Sequence, residues 1–157
     1  MDENKKKMFM NIVKGGAVIL CIFFFTLPLV QCSQSSNLKA SGWEIATGTG
    51  NLNRNIPGNN SGEPLAFILI IAPIVLFYFA FKNKPFKTLR YTAIAGLGSQ
   101  IIFMLVAYSR LNSGTYRGAF KLTGSNWVIL LIYAGLVYIN HYCIQQEEAE
   151  QIKNENS

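Results

Sequence analysis

Acidic residues are missing from more than half of this chain, because no aspartate or glutamate lies between Glu63 and Glu147. Only 14% of the 157 residues are charged, whereas 50% are hydrophobic. A soluble domain needs polar side chains to cover its surface, so this balance indicates a membrane protein. An ionised carboxylate is costly in lipid, so an acid-free stretch is expected where the chain crosses a bilayer.

The residue clusters that enzymes and metal sites need are also missing. The chain contains one histidine, His141, and three cysteines that are far apart in the sequence. It has no glycine-rich phosphate loop, nucleophile elbow, His-Glu-x-x-His pattern or paired-carboxylate site. We therefore predict a protein that is not an enzyme, with no cofactor, metal site or identifiable small-molecule substrate. The net charge of +6 lies in short stretches between apolar runs, which is typical of membrane proteins and not of nucleic-acid binders.

Four apolar runs are long enough, or nearly so, to cross a bilayer as helices, which takes about 20 residues. We place these spans at about 11–31, 64–81, 91–109 and 126–144. A soluble helix would show a polar face at every third or fourth position, and residues 65–81 show none. The expected fold is an all-α membrane protein, with residues 1–157 forming one bundle of four transmembrane helices.

The basic residues predict how this bundle is oriented. Five lie on one side of the spans: Lys39, Arg54, Arg110, Arg117 and Lys121. Nine lie on the other side: Lys5, Lys6, Lys7, Lys14, Lys82, Lys84, Lys87, Arg90 and Lys153. Cytoplasmic loops carry the excess of lysine and arginine, so we predict that both termini are cytoplasmic. The outside loops are then residues 32–63 and 110–125.

The first apolar run has two other interpretations. Its basic start and the small polar residues after it also occur in cleaved signal peptides, but the run exceeds the usual length of about 7–15 residues. The sequence LPLVQC, which ends at Cys32, is compatible with a lipid anchor, although Gln31 stands where a small residue is usual. An uncleaved span with Cys32 at its outer end is the preferred interpretation.

The first outside loop contains one organised segment, SGWEIATG. Its glycines permit tight turns, and tryptophan favours the headgroup region of a bilayer. The segment is expected either to fold back onto the bilayer or the span ends, or to dock a partner. The candidate docking residues are Ser41, Gly42, Trp43, Ile45, Ala46, Thr47 and Gly48.

Together with the basic N-terminus, Leu27, Pro28 and Cys32, this segment resembles a group of small bacterial multi-span membrane proteins of unassigned activity. They share a Leu-Pro…Cys…Ser-Gly-x-x-(Leu/Ile)-Ala-Thr-Gly outer-loop motif. The resemblance covers about the first third of the chain, and Ile45 stands where leucine is commoner. It implies a multi-pass protein of the bacterial cytoplasmic membrane and carries over no catalytic residue.

The third predicted span contains Gln100 beside Ser99. Thr92, Gly96 and Gln100 are spaced four apart and form a small-residue ridge, which allows close helix packing and a glutamine hydrogen bond across the contact. Pro73 in the second span removes one backbone hydrogen bond and favours a kink. Gly96, Ser99, Gln100 and Pro73 are therefore candidates for helix packing or for lining a path.

These patterns together predict a small accessory or structural subunit of a larger membrane complex, with the lipid bilayer and a membrane protein as its partners. The alternative is a small transporter or channel assembled from several copies. Gln100, Ser99 and Pro73 would then line its path.

Overall fold

A computed structural model describes residues 3–34, 37–49, 64–112 and 119–155 of the chain. This part is mostly helical. Its elements in chain order are α1 (Glu3–Thr26), β1 (Pro28–Cys32), β2 (Lys39–Ser41), α2 (Gly42–Thr47), α3 (Pro64–Phe81), α4 (Phe86–Leu111), β3 (Phe120–Leu122) and α5 (Ser125–Glu155).

Three of the helices, α1, α4 and α5, are long and apolar enough to cross a membrane. The second predicted span, 64–81, has the same bounds as α3, whose apolar stretch Ala66–Phe81 is shorter than the other three. A helix satisfies all its interior backbone groups within itself, which is required where no water is present. The candidate spans support the prediction of a membrane protein.

The long helices pack in chain order, with α1 against α3, α3 against α4, α4 against α5, and α5 back against α1. The residues that α1 buries recur every three or four positions: Met10, Val13, Ala17, Leu20 and Phe24. This spacing places them on one face of the helix. Large apolar side chains on the outward faces are more than half exposed, as at Ile71, Leu105 and Leu131. A lipid-facing surface accounts for this exposure.

The α3–α4 connection, residues 82–85, marks one end of the helices, which we call the turn end. There, Lys6 Nζ of α1 lies 2.7 Å from Glu147 Oε1 of α5, and Lys87 Nζ of α4 lies 3.4 Å from Glu148 Oε1. The acidic end of α5 thus contacts basic residues of α1 and α4. Exposed pairs of this kind contribute only about 0–1 kcal/mol each.

The opposite end, which we call the strand end, carries a three-stranded antiparallel sheet in the order β2-β1-β3. Val30 at its centre pairs with Ala40 of β2 and with Leu122 of β3. The register of β1 with β2 is irregular between Pro28 and Val30. The all-α prediction lacked this sheet, because its strands are short and come from distant parts of the chain.

The bounds of the first span are corrected by the structure. Helix α1 ends at Thr26, and residues 28–32 form β1, although the sequence predicted a span as far as residue 31. Proline has no N–H to donate, and it disfavours helical geometry at the residue before it. Pro28 therefore ends the helix and begins a strand.

Helices α4 and α5 extend beyond their predicted spans. Helix α4 begins at Phe86 and ends at Leu111, whereas the prediction was 91–109. Helix α5 continues to Glu155, past the predicted end at residue 144. A helical backbone does not stop where its apolar run stops, because polar side chains continue the helix into water.

Candidate functional site at the strand end

The segment that the sequence singled out, Ser41–Gly48, forms the short helix α2 between two caps. The Ser41 hydroxyl accepts a hydrogen bond from Glu44 N at 3.4 Å, and Glu44 Oε2 accepts one from Ser41 N at 2.8 Å. This reciprocal capping box satisfies backbone donors at the helix start. Gly48 ends the helix with a φ of 73°, in the left-handed region that favours glycine. The two caps give the segment a defined conformation.

Helix α2 lies against the ends of the long helices. A Cβ atom at Gly42 would come within 2.5 Å of the Phe24 side chain of α1, so only glycine allows this approach. Ala46 is buried and Ile45 packs against the same apolar core. The segment thus folds back onto helix ends, one of the two arrangements that its sequence allows.

Trp43 faces outward from α2 and is 43% exposed. Its ring centroid lies 5.5 Å from that of Phe25 on α1 and 6.4 Å from that of Phe67 on α3. These separations are typical of favourable aromatic pairs. The hydroxyl of Thr47 donates to the Trp43 carbonyl at 2.8 Å and closes the last turn of the helix. The three rings form one continuous surface, which we call the aromatic surface (Phe25, Trp43, Phe67).

An open groove of about 420 Å³ adjoins the aromatic surface, and we call it the α2 groove. Its wall combines aromatic rings with one cation and one carboxylate. The lining residues are Phe25, Thr26, Pro28, Lys39, Ser41, Trp43 and Glu44. A groove of this composition offers both apolar and polar contacts, which protein interfaces combine.

Buried hydrogen bonds tie the sheet to the long helices. Gln100 Nε2 of α4 donates to Asn126 Oδ1 of α5 at 3.0 Å. Asn126 Nδ2 in turn donates to the Leu29 carbonyl of β1 at 2.7 Å and to the Thr123 carbonyl at 3.1 Å. The Thr123 hydroxyl also donates to the Pro28 carbonyl. We call this set the polar junction (Gln100, Asn126, Thr123 and the carbonyls of β1).

The polar junction supplies donors to backbone that is not helical. Gln100 is 1% exposed and Asn126 is fully buried, so water does not reach these groups. A buried carbonyl without a donor is costly, and this cost is greatest where the surroundings are apolar. Asn126 and the Thr123 N–H, at 3.1 Å, both donate to the Leu29 carbonyl and thereby hold β1. Because β1 pairs with β2, and β2 leads directly into α2, the polar junction also fixes where α2 sits.

The four residues that the sequence suggested for helix packing or for lining a path lie in different places. A Cβ at Gly96 would lie 2.2 Å from Tyr133 Cε1, so Gly96 is a point of close α4–α5 contact. Gln100 and Tyr133 border an interior cavity of about 10 Å³, near the smallest that holds one water molecule. Pro73 is buried within α3. The Ser99 hydroxyl donates to the Gly96 carbonyl at 2.8 Å, and Ser99 lines an outward groove between α3 and α4.

The histidine lies away from the strand end. A guanidinium N–H of Arg90 donates to Nδ1 of His141 at 3.1 Å, so His141 contacts a side chain of α4. In the described part of the chain, no group of three histidine, cysteine or acidic residues is arranged to hold a metal ion. All three cysteines are free thiols.

Sequence reasoning found Gln100 but missed its partner Asn126. An asparagine at the start of a predicted span is ordinary, and nothing in the spacing shows which carbonyl it reaches. The capping box, by contrast, has a visible signature, because Ser41 is followed three residues later by Glu44.

Comparison of the chain with protein-family models, with curated proteins and with solved structures gave no match. The resemblance to small bacterial membrane proteins therefore stays a prediction. The function has to be inferred from the chain's own geometry, and the strand end offers the most defined surface.

Proposed function

We propose that this protein is a non-enzymatic accessory or structural subunit of a larger complex in the bacterial cytoplasmic membrane, and that it docks a membrane-protein partner through α2. In this proposal all four long helices span the bilayer as one bundle and both termini are cytoplasmic. The turn end then faces the cytoplasm and the strand end faces outside. The clustering of Lys82, Lys84 and Lys87 near the α3–α4 turn supports this orientation.

The observation that carries the proposal is the partly exposed Trp43 of the aromatic surface on a helix that is capped at both ends. Tryptophan is enriched among the residues that contribute most to protein interfaces. A side chain that is already held in place loses less conformational entropy when a partner binds. The capping box and the contact of Gly42 with Phe24 hold Trp43 in this way.

The position of Trp43 favours a partner that lies in the membrane. Its ring contacts Phe25 near the end of α1 and Phe67 near the start of α3, so it sits at the level where candidate spans end. A tryptophan at this level is also stable as an interfacial anchor without any partner. A partner-docking role and an anchoring role therefore predict different results when Trp43 is removed.

Trp43→Ala is expected to reduce co-purification of the partner from mild detergent by at least about 30-fold, because removing an interface anchor costs about 2 kcal/mol or more. Trp127→Ala is the matched control, since Trp127 is the only other tryptophan, lies at the start of α5 and is 62% exposed. Quantitative mass spectrometry of affinity-purified protein measures the effect.

The control variant should keep the partner at the wild-type level, and both variants should unfold at similar temperatures. An equal loss of the partner in both variants would assign Trp43 a general anchoring role. Purification of the wild-type protein as a monomer without any partner would contradict the subunit proposal itself.

A small oligomeric transporter or channel is the second candidate, and the outward groove between α3 and α4 favours it. This groove has a volume of about 450 Å³ and is lined in part by Thr92, Ala95 and Ser99, whose small side chains allow a second helix to approach. A path between copies would be lined by Ser99, whereas Gln100 and Pro73 are buried within a single chain. Self-association in mild detergent is required by this candidate and not by the first.

A further inference from the structure

We infer that the turn end binds the phosphate group of an anionic phospholipid in a groove between α1 and the α3–α4 turn. This groove, which we call the lysine groove, has a volume of about 330 Å³. Its polar lining residues are Glu3, Lys6, Lys7, Asn11, Lys14 and Asn83. The inference is separate from the partner-docking proposal, because it concerns the opposite end of the molecule.

The sequence of α1 places hydrogen-bond donors along one wall of the lysine groove. Lys7, Asn11 and Lys14 follow one another at intervals of four and three residues, so they share a helix face. Lys14 lies about 10 Å further along the helix axis than Lys7, at about 1.5 Å per residue. Ammonium and amide groups donate hydrogen bonds, and phosphate oxygens accept them. The wall therefore presents donors over the length of a lipid headgroup.

Two of the lysines have no ion-pair partner in the described part of the chain. Lys6 is paired with Glu147, but Lys7 and Lys14 have no carboxylate within ion-pair distance among the residues that the structure describes. Lys14 Nζ instead donates to Asn83 Oδ1 at 3.3 Å and lies 6.0 Å from the centroid of the Phe81 ring. These contacts orient the ammonium group without neutralising it.

Glu3 is the single carboxylate among the described residues that line the lysine groove, and it lies in the first turn of α1. An acidic side chain at this position interacts favourably with the helix N-terminus. The anion is therefore expected further along the groove, between Lys7 and Lys14, where the lining residues are cationic or neutral.

A lipid fits this groove better than a soluble anion does. Helix α1 is a candidate membrane span, so the groove lies where such a span meets water. Apolar surface continues from it, because Phe81 is 63% exposed and its ring centroid lies 6.1 Å from that of Phe77. Basic pockets between spanning helices bind anionic headgroups, while acyl chains cover the adjoining apolar surface.

The test uses the full chain in mild detergent, titrated with phosphatidylglycerol or with phosphatidylcholine and followed by native mass spectrometry. The wild-type protein is expected to bind phosphatidylglycerol at least about tenfold more tightly, because only this lipid carries a net negative charge. The double variant Lys7→Gln/Lys14→Gln should bind phosphatidylglycerol about 25-fold more weakly, since one lysine near an anionic headgroup contributes a factor of about five.

Two control variants separate the lysine groove from general charge and from folding. Lys82→Gln/Lys84→Gln removes the same charge from exposed positions at the same end but outside the groove, and should change the affinity less than about threefold. Lys7→Arg/Lys14→Arg keeps both charges and should retain most of the binding. The single variant Lys7→Gln, at an exposed position of α1, should still weaken binding about fivefold.

Three results would overturn the inference. The first is equal affinity of the wild-type protein for the two lipids. The second is an equal loss of binding in the groove variant and in the Lys82→Gln/Lys84→Gln control. The third is displacement of phosphatidylglycerol by inorganic phosphate at comparable concentration, which would mean that the groove takes soluble phosphate and not a lipid.

Discussion

Asn126→Ala is expected to lower the free energy of unfolding by about 3 kcal/mol, since a buried polar group left without a partner costs about 1–3 kcal/mol and each further hydrogen bond lost costs about 1 kcal/mol. The substitution leaves Gln100 Nε2 without its acceptor, and it leaves the Leu29 carbonyl with the Thr123 N–H, at 3.1 Å, as its remaining donor. Gln100 is 1% exposed, so solvent does not replace the acceptor that its amide N–H loses. Titration with a denaturing detergent, followed by circular dichroism, measures the change in stability.

The chain provides a closely matched control in Asn140. It is the same residue type on the same helix and is equally buried. Its Nδ2 donates only to the Leu136 carbonyl of its own helix, and its Oδ1 has no partner in the described part of the chain. Asn140→Ala is expected to cost less than about 1 kcal/mol, because it breaks one local bond and leaves no side chain of another helix unpaired. Equal losses for the two variants would show that the polar junction does not hold the fold together.

The second large effect is expected at Gly96. A methyl group there would lie 2.2 Å from the Tyr133 ring, so Gly96→Ala forces α4 and α5 apart or forces the ring to move. Overpacking of this kind costs about 1–3 kcal/mol, and we expect the upper part of that range because the ring is buried. The same titration with a denaturing detergent measures this loss of stability.

Gly98→Ala is the control for this effect, because a Cβ at Gly98 meets no atom within 4 Å. This substitution should stabilise the protein by about 0.5–1 kcal/mol, since alanine is the better helix former. Replacing the ring as well, in Gly96→Ala/Tyr133→Leu, should recover part of the stability that Gly96→Ala alone loses. Equal stability of the Gly96→Ala and Gly98→Ala variants would contradict the close α4–α5 contact at Gly96.

The helical part of the fold could be predicted where an apolar run has clear polar limits. The run 64–81 is such a case, because apolar residues fill it and basic residues follow it, and α3 has the same bounds. The ends of α4 were less predictable, since helix formation continues into polar sequence while hydropathy does not.

The sheet could not be predicted in the same way. Residues 28–32 read as the continuation of an apolar run, and only Pro28 indicated a change. Pairing of β1 with β3 joins residues about 90 positions apart, as for Val30 and Leu122. No local pattern contains that information.

Only part of the candidate site could be predicted from the sequence. Turn-forming glycines and one tryptophan mark Ser41–Gly48 in the sequence, and a polar residue within an apolar run marks Gln100. The partner of Gln100 depends on how α4 and α5 are rotated about their axes, which composition does not define. The polar junction therefore becomes visible only in three dimensions.

In the proposed orientation, the strand end lies outside the cytoplasm and the turn end lies inside. The most direct measurement is labelling of intact cells with a membrane-impermeant thiol reagent, using single-cysteine variants in a background without Cys21, Cys32 and Cys143. Lys39→Cys, at an exposed position of the strand end, is predicted to react in intact cells. Lys84→Cys, at an exposed position of the turn end, is predicted to react only after the membrane is permeabilised. Labelling of Lys84→Cys in intact cells, or protection of Lys39→Cys, would contradict the proposed orientation and with it the exposure of α2 to an outside partner.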